Sequence, residues 1–381
     1  MQAPIVIIGS GLAGITVARE LRKLDKSVPV IVVSADDGAF YSKPSLSNAL
    51  AAGKVAAQLA LALAETLASQ LAIEIRSSTT VERIEPEQHA LVTSTGRIEY
   101  SHLVLALGAH PIRVPIAGDA AGEVLSVNNL ADYARFRERL NSAQRVAILG
   151  AGLIGCEFAN DLASTGVRPM VYDLSPQPLG HLLPPQSAAF FREKMEAVGV
   201  SFHFATSLAS VERVGDKLRL TDSHGGQADA DLVLSAIGLK PAIELAQAAG
   251  LAVKRGIVVD RQLAASPPDI YALGDCAEVQ GLVLPFVLPI MQCARALART
   301  LAGESTAVGY PAMPVAVKTP ACPTIVCPPP ANAEGAWQET VSATGTRAIF
   351  SNTAGQALGF ALLGDAVQEK QALATNMPAW L

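Results

Sequence analysis

The chain has 381 residues, half of them apolar and only 17% charged, which excludes a disordered or fibrous protein and exceeds one simple core. A net charge of −5 argues against a general nucleic-acid surface and leaves room only for local basic patches. Five cysteines, at 156, 276, 293, 322 and 327, are odd in number and scattered, which fits a reducing cytoplasm and not a disulfide scaffold.

The sequence opens Met1-Gln2-Ala3-Pro4 and passes directly into an apolar strand, Ile5-Val6-Ile7-Ile8, with no stretch that reads as a signal peptide. Gly9-Ser10-Gly11-Leu12-Ala13-Gly14 follows, then helix-type sequence to about Leu24 and a second strand over residues 30–33. In G-x-G-x-x-G the first glycine makes a tight turn and the second lets a pyrophosphate reach the backbone. The third allows close helix–sheet packing, and the phosphates meet free N–H groups at the positive helix end. An acid usually ends the second strand. Here Ser34 stands there, followed by Ala35 and Asp36, so the ribose contact falls to the Ser34 hydroxyl or the Asp36 carboxylate.

Tyr41-Ser42-Lys43-Pro44-Ser45-Leu46-Ser47 is polar and kinked. Residues 50–73 read as an Ala/Leu-rich helix, and Lys54, Gln58, Glu65 and Gln70 make it a surface or core helix rather than a membrane span. Short strands are expected at 73–76, 81–84, 90–93 and 98–100, the last two joined by a Thr95-Gly96 turn. A buried strand, Leu103-Val104-Leu105, then runs on to Gly108.

After a Pro- and Gly-containing linker, residues 111–128, the plan repeats. Val146-Ala147-Ile148-Leu149 leads into Gly150-Ala151-Gly152-Leu153-Ile154-Gly155-Cys156-Glu157, a helix as far as Thr165, and the strand Pro169-Met170-Val171-Tyr172. This strand ends in Asp173, placed to grip a ribose 2′-hydroxyl, and Leu174-Ser175-Pro176 offers no cation for a 2′-phosphate, so the site leans to NADH. Strands at 200–204, 208–214 and 218–221 precede Leu232-Val233-Leu234, which runs on to Gly238. An internal repeat of a whole nucleotide-binding unit is the strongest organisational signal. Strand-like segments at 256–260 and 270–275 are too few for a new domain and are expected to complete the first, closed by a helix from about Pro289 to Ala302. Beyond Tyr310, Pro-rich punctuation and short β-type runs, with a helical stretch at 369–374, read as a small domain packed on the first. The expected fold is α/β: two Rossmann-like dinucleotide-binding domains, 1–110 with 240–310 and 111–239, which the resemblance given next makes FAD/NAD(P)-binding, plus a small C-terminal α+β domain, 311–381.

On these features the chain resembles, over its whole length, the two-dinucleotide flavoprotein reductases of the glutathione-reductase-like superfamily. The resemblance rests on Tyr41-Ser42-Lys43-Pro44, on Gly150 to Leu162, on Tyr271-Ala272-Leu273-Gly274-Asp275-Cys276-Ala277-Glu278, and on Lys318-Thr319-Pro320-Ala321-Cys322-Pro323. The last two stretches point to the rubredoxin reductase branch. The resemblance implies FAD on the first loop and NADH on the second. Gly274 and Asp275 would hold the ribitol, Val81 would touch adenine through its main chain, and residues 287–290, from Val287, would present a helix N-terminus to flavin N1 and C2=O. Lys43, after Ser42, would stand beside flavin N5, paired with Glu157, and Lys318 would approach from the third domain.

The superfamily's C-x4-C pair after the first unit is absent, since no cysteine precedes Cys156. Cys322 and Cys327 have that spacing, but Pro323 lies between them and residues five apart on a strand face opposite sides. Electrons are therefore expected to leave from the flavin itself. No histidine cluster suggests a metal. The resemblance implies a cytoplasmic NADH-dependent enzyme feeding rubredoxin, an acidic protein, for example for alkane hydroxylation. An acidic chain would dock it on a local patch such as Arg22, Lys23, Lys26 or Arg113. Two alternatives stand beside this: a ferredoxin reductase of an oxygenase system, and a FAD-holding sensor or interaction protein.

Overall fold

The computed structural model describes residues 3–141, 143–330 and 332–381; Met1 and Gln2, where the chain opens, lie outside them. Strand Ile5–Ile8 is buried throughout and leads through the first glycine loop into helix α1, Leu12–Leu24. In the parallel sheet built on it, Ile5–Ile8 pairs with Val30–Val33 and His102–Leu105, and Glu74–Arg76 adds beyond Val30–Val33. Continuous apolar runs suit strands covered on both faces. A three-stranded antiparallel meander, Val81–Glu85, Ala90–Thr93 and Gly96–Glu99, sits beside this sheet.

The expected long helix over residues 50–73 does not form. Instead the segment holds a 3₁₀ turn at Ala56–Leu59, a short strand Ala60–Ala62 paired with Phe40–Tyr41, and only then helix α2, Ala64–Leu71. Gly53 at φ 63° turns the chain before it, and Ala72 at φ 48° ends α2. Local turn geometry overrides the helical propensity of the alanines and leucines.

The second unit repeats the first. Helix α3, Leu130–Leu140, precedes strand Arg145–Leu149, which leads through the second glycine loop into helix α4, Leu153–Ala163. The sheet is again parallel, in the order Ser201–Phe204, Arg168–Asp173, Arg145–Leu149, Leu232–Ser235, with its own meander Leu208–Val214, Lys217–Asp222, Gln227–Ala230. The segments leaving the two sheets, Ala109–Pro111 and Leu239–Pro241, pair with one another as an antiparallel ribbon. Helix α5, Pro185–Ala197, belongs to this unit, and helix α6, Glu244–Ala248, follows the ribbon. The chain then returns: Ile270–Ala272 pairs in parallel with His102–Leu105 in the first sheet, and helix α7, Val287–Leu301, packs along α1.

The C-terminal segment forms a five-stranded antiparallel sheet, in the order Val315–Val317, Thr324–Cys327, Ala357–Gly364, Gly345–Ser351, Ala336–Val341, followed by helix α8, Lys370–Asn376. Its main seat is not the first unit, as expected, but the second. Val317, Cys322, Val326, Ala348, Ala361 and Leu363 share one core with Phe190, Phe191 and Met195 of α5 and with Leu46, Leu50 and Leu59. Glu339 fixes the dock by accepting from the Gln186 and Ser187 N–H groups at the α5 N-terminus, where a carboxylate is favoured. The first unit contributes that 46–59 segment, and the last residues also reach it, where the Trp380 N–H donates to the Tyr310 carbonyl at 2.7 Å. Cys322 and Cys327 fall into different apolar clusters on opposite sides of this sheet. Among the described residues no helix is long and apolar enough to cross a membrane.

Candidate active site

Each parallel sheet ends in a glycine cradle of the same construction. Gly9 has φ 114°, and a Cβ there would lie 2.3 Å from the Ala106 carbonyl oxygen; at Gly14 it would lie 2.0 Å from the Gly9 oxygen. In the second loop Gly150 has φ 101°, with Ala236 oxygen at 2.5 Å, and Gly155 would meet the Gly150 oxygen at 1.9 Å. The middle glycines differ. A Cβ at Gly11 or Gly152 meets no protein atom within 4 Å, so that side of each loop is open to a ligand. Both helices start on these glycines without a side-chain cap, so their first-turn N–H groups are free for an anion. Both cradles fit the pyrophosphate of a dinucleotide.

In the first unit the polar groups around the loop form a chain. The Ser10 and Ser34 hydroxyls lie 2.7 Å apart, Ser34 donates to Asp36 Oδ1 at 2.5 Å, and the Gly38 N–H donates to the same oxygen at 3.0 Å. Ser34 and Asp36, offered by the sequence as alternatives, are thus one hydrogen-bonded unit, and exposed Ala35 lies between them. The Ser78 and Thr79 N–H groups donate to the Asp36 and Ser34 carbonyls, which brings Val81 alongside. Gly274, at φ 78°, approaches the Ala13 Cβ at the start of α1 as only a glycine can. Asp275 follows it; burial raises its carboxyl above the usual range while Lys43 pulls it back. Helix α7 begins at Val287 with no side-chain cap, and Val287 and Leu288 are exposed.

In the second unit Asp173 accepts from the Ala151 N–H at 2.5 Å and the Ser175 N–H at 2.6 Å, tying the strand end to the glycine loop. Leu174 beside it is 74% exposed and brings no charge. Leu153 and Ile154 open α4, and Gly238, at φ 117° beyond strand Leu232–Ser235, accepts from the Ile112 N–H at 3.0 Å.

Lys43, after the extended Ser42, starts a 3₁₀ turn, and a Cβ on Gly108 would lie 3.9 Å from its Nζ. The expected Lys43–Glu157 pair is not formed. Lys43 Nζ donates to Asn128 Oδ1 at 3.1 Å, whereas the buried Glu157 is bound by Lys318 through both Nζ and the backbone N–H, and by the Ser47 hydroxyl. The C-terminal sheet docks on the second unit and places Lys318 against Glu157 of α4, so the carboxylate is already paired. Burial lowers the Lys43 ammonium pKa, and Asp275, Asp132 and Asp36 oppose that shift. Sequence reasoning missed Asn128 and Ser47. Asn128 had a signal: Asn129-x-x-Asp132 is a helix N-cap pattern, and Asp132 N–H does donate to Asn129 Oδ1 at 2.7 Å. The cysteines are all free and buried, and burial raises their thiols, Cys276 to about 12 and Cys293, Cys322 and Cys327 to about 11.

Two dinucleotide cradles of one construction, with Lys43 held by Asn128, Lys318 bound to the buried Glu157 and no thiol pair, define the class of two-dinucleotide flavoprotein reductases. Residues 3–302 match the pyridine nucleotide-disulphide oxidoreductase family and residues 307–377 the rubredoxin binding C-terminal domain, and the chain belongs to that family. It is 48% identical to the rubredoxin-NAD(+) reductase of Alcanivorax borkumensis over 99% of each chain. It is also 48% identical to that of Acinetobacter baylyi, over 98% of this chain and 97% of the other. Among solved structures it is similar to the ferredoxin reductase for the CYP199A2 system from Rhodopseudomonas palustris, with a TM-score of 0.89 at 26% identity, covering 99% and 96% of the two chains.

Proposed function

We propose that this chain is a cytoplasmic rubredoxin–NAD(+) reductase, holding FAD in the first cradle and NADH in the second. The observation that carries the reading is the full-length similarity to two rubredoxin-NAD(+) reductases, joined to a C-terminal sheet of the rubredoxin-binding family that docks on the NADH side. NADH gives up a hydride, and two rubredoxin irons each take one electron; bound FAD supplies the conversion between two-electron and one-electron transfer. The protein's part is placement. The free N–H groups of α1 hold the FAD pyrophosphate, Asp275 accepts from the ribitol, and the Ser34–Asp36 unit accepts from the adenosine ribose. The α7 N-terminus favours negative charge on the ring side it faces. Asp173 holds the NADH ribose, and Glu157, fixed by Lys318 and Ser47, lies on α4 where the nicotinamide must enter. Five free, buried thiols support a reducing compartment and leave no thiol relay between flavin and acceptor.

The acceptor meets a mixed surface. Arg22 is committed to the Leu71, Ala72 and Asp25 carbonyls and Lys23 to Glu20, so of the four cations named above Lys26 or Arg113 is proposed to meet the acceptor. The test is anaerobic stopped-flow: NADH bleaches the yellow enzyme, and rubredoxin or a [2Fe–2S] ferredoxin is then mixed in. Faster reoxidation by rubredoxin, slowed by salt, is expected. Faster reoxidation by the ferredoxin makes this a ferredoxin reductase, and a protein that NADH does not bleach is a FAD-binding sensor.

A further inference from the structure

We propose that Asn128 is a positioning residue that aims the Lys43 ammonium at the flavin; this rests on the reading above that Lys43 stands beside the ring. The hydrogen bond to Asn128 Oδ1 is the one Lys43 Nζ makes to protein among the described residues, and no carboxylate lies in ion-pair distance of it. Asp275, Asp132 and Asp36 act on Lys43 only through space.

The amide of Asn128 has one possible orientation. Its Nδ2 donates to the Ala109 carbonyl at 2.9 Å, an acceptor that cannot face Oδ1, so Oδ1 must turn to Lys43. Its backbone is pinned as well, because the Asn128 N–H donates to Asp132 Oδ2 at 3.1 Å, in the first turn of α3. Asn128 therefore reports to two fixed points, the ribbon that joins the units and the N-terminus of α3. Lys43 comes from the first unit and its anchor from the end of the linker. The position of the ammonium is set across the boundary between the two.

The choice of a neutral anchor has a chemical consequence. A carboxylate in this place would hold Lys43 equally well but cancel its charge. An amide oxygen fixes the nitrogen with a partial dipole and leaves the unit charge to act on the ring. Glu157, the carboxylate expected to take this role, is fully engaged by Lys318 and Ser47. The two lysines of the site are thereby given separate tasks: Lys318 is ion-paired on the NADH side, and Lys43 carries no contacting counter-charge on the flavin side.

The midpoint potential of the flavin in purified holoenzyme, measured by equilibration with a reference dye, reads this charge without NADH or rubredoxin. Asn128→Ala is expected to shift the potential negative, by about a tenfold change in the two-electron equilibrium, roughly 30 mV. Lys43→Met is expected to shift it further. Asn128→Ala added to Lys43→Met is expected to change nothing more, since there is no ammonium left to aim. Asn128→Asp, which keeps an acceptor for Lys43, is expected to shift it negative at least as far as Asn128→Ala. An unchanged potential in FAD-loaded Asn128→Ala, or an equal shift in the Lys43→Met background, overturns the proposal. If Asn128→Ala does not fold, Asn128→Asp decides alone: an unshifted potential contradicts it. A wild-type enzyme that NADH fails to bleach would sink the functional reading, and these potentials would be measured all the same.

Discussion

The two glycine cradles are the same backbone device with different polar equipment. In the second cradle a single acid, Asp173, lies at the strand end and binds the loop directly through the Ala151 N–H. In the first cradle the strand ends in Ser34, and the acid is displaced to Asp36, which reaches the loop through the Ser34 and Ser10 hydroxyls. The lysines differ in the same sense: Lys318 is ion-paired, Lys43 is held by an amide. A fold that duplicates a binding unit keeps the steric part, which the phosphates require, and varies the polar part, which decides ribose grip and local charge.

The largest effect should come from the glycines. Gly14→Ala and Gly155→Ala each drive a Cβ into the carbonyl of the turn, at 2.0 and 1.9 Å, which must distort the loop and cost about 1–3 kcal/mol or more. Gly11→Ala and Gly152→Ala meet no protein atom, so thermal melting of the apoprotein should be unchanged while FAD or NADH binding is lost. A Gly11→Ala protein that melts normally and binds FAD as wild type would break the claim that this side faces the pyrophosphate. Next come the acids. Asp173→Ala removes a direct charged contact worth about 1.5–3 kcal/mol and should raise the NADH KM some ten- to hundredfold with kcat little changed. Asp36→Ala leaves the Ser34 hydroxyl in place, and FAD affinity should fall less; an equal loss at both sites would erase the difference between the cradles.

Smaller still is the effect of pH on Lys43. Its folded pKa lies below the ordinary value of 10.5, so between the two the unfolded chain binds more protons and stability rises with pH. Apoprotein carrying Lys43→Met should therefore be more stable than wild type at neutral pH. That gap should narrow as pH climbs toward 10.5 and hold constant below the folded pKa. Urea denaturation at a series of pH values reads it, and a gap that widens toward 10.5 would contradict the assigned cause.

Much of this was written in local sequence. Ile5–Ile8, Val30–Val33 and the glycine spacings are short-range signals, and the repeat made the topology legible, including the return of Ile270–Ala272 to the first sheet. What the sequence hid depends on packing between distant segments. The 50–73 stretch is broken by turns and by pairing with Phe40–Tyr41 that composition does not record. The seat of the C-terminal sheet depends on the apolar face of α5, far earlier in the chain: Ser187 and Glu339, which join them, are 152 residues apart. The Lys318–Glu157 pair depends on that seat, which local sequence does not record, whereas the Lys43–Glu157 pair was implied only by family resemblance.

The central claim is that electrons pass from NADH through flavin alone to rubredoxin. Its most direct test is an anaerobic titration of the holoenzyme that counts electrons in and out. The account predicts full reduction by one NADH per FAD, no further uptake on adding dithionite, and return to the oxidised spectrum after two equivalents of oxidised rubredoxin. Uptake of four electrons per FAD, or a reduced flavin that rubredoxin does not reoxidise, would contradict it.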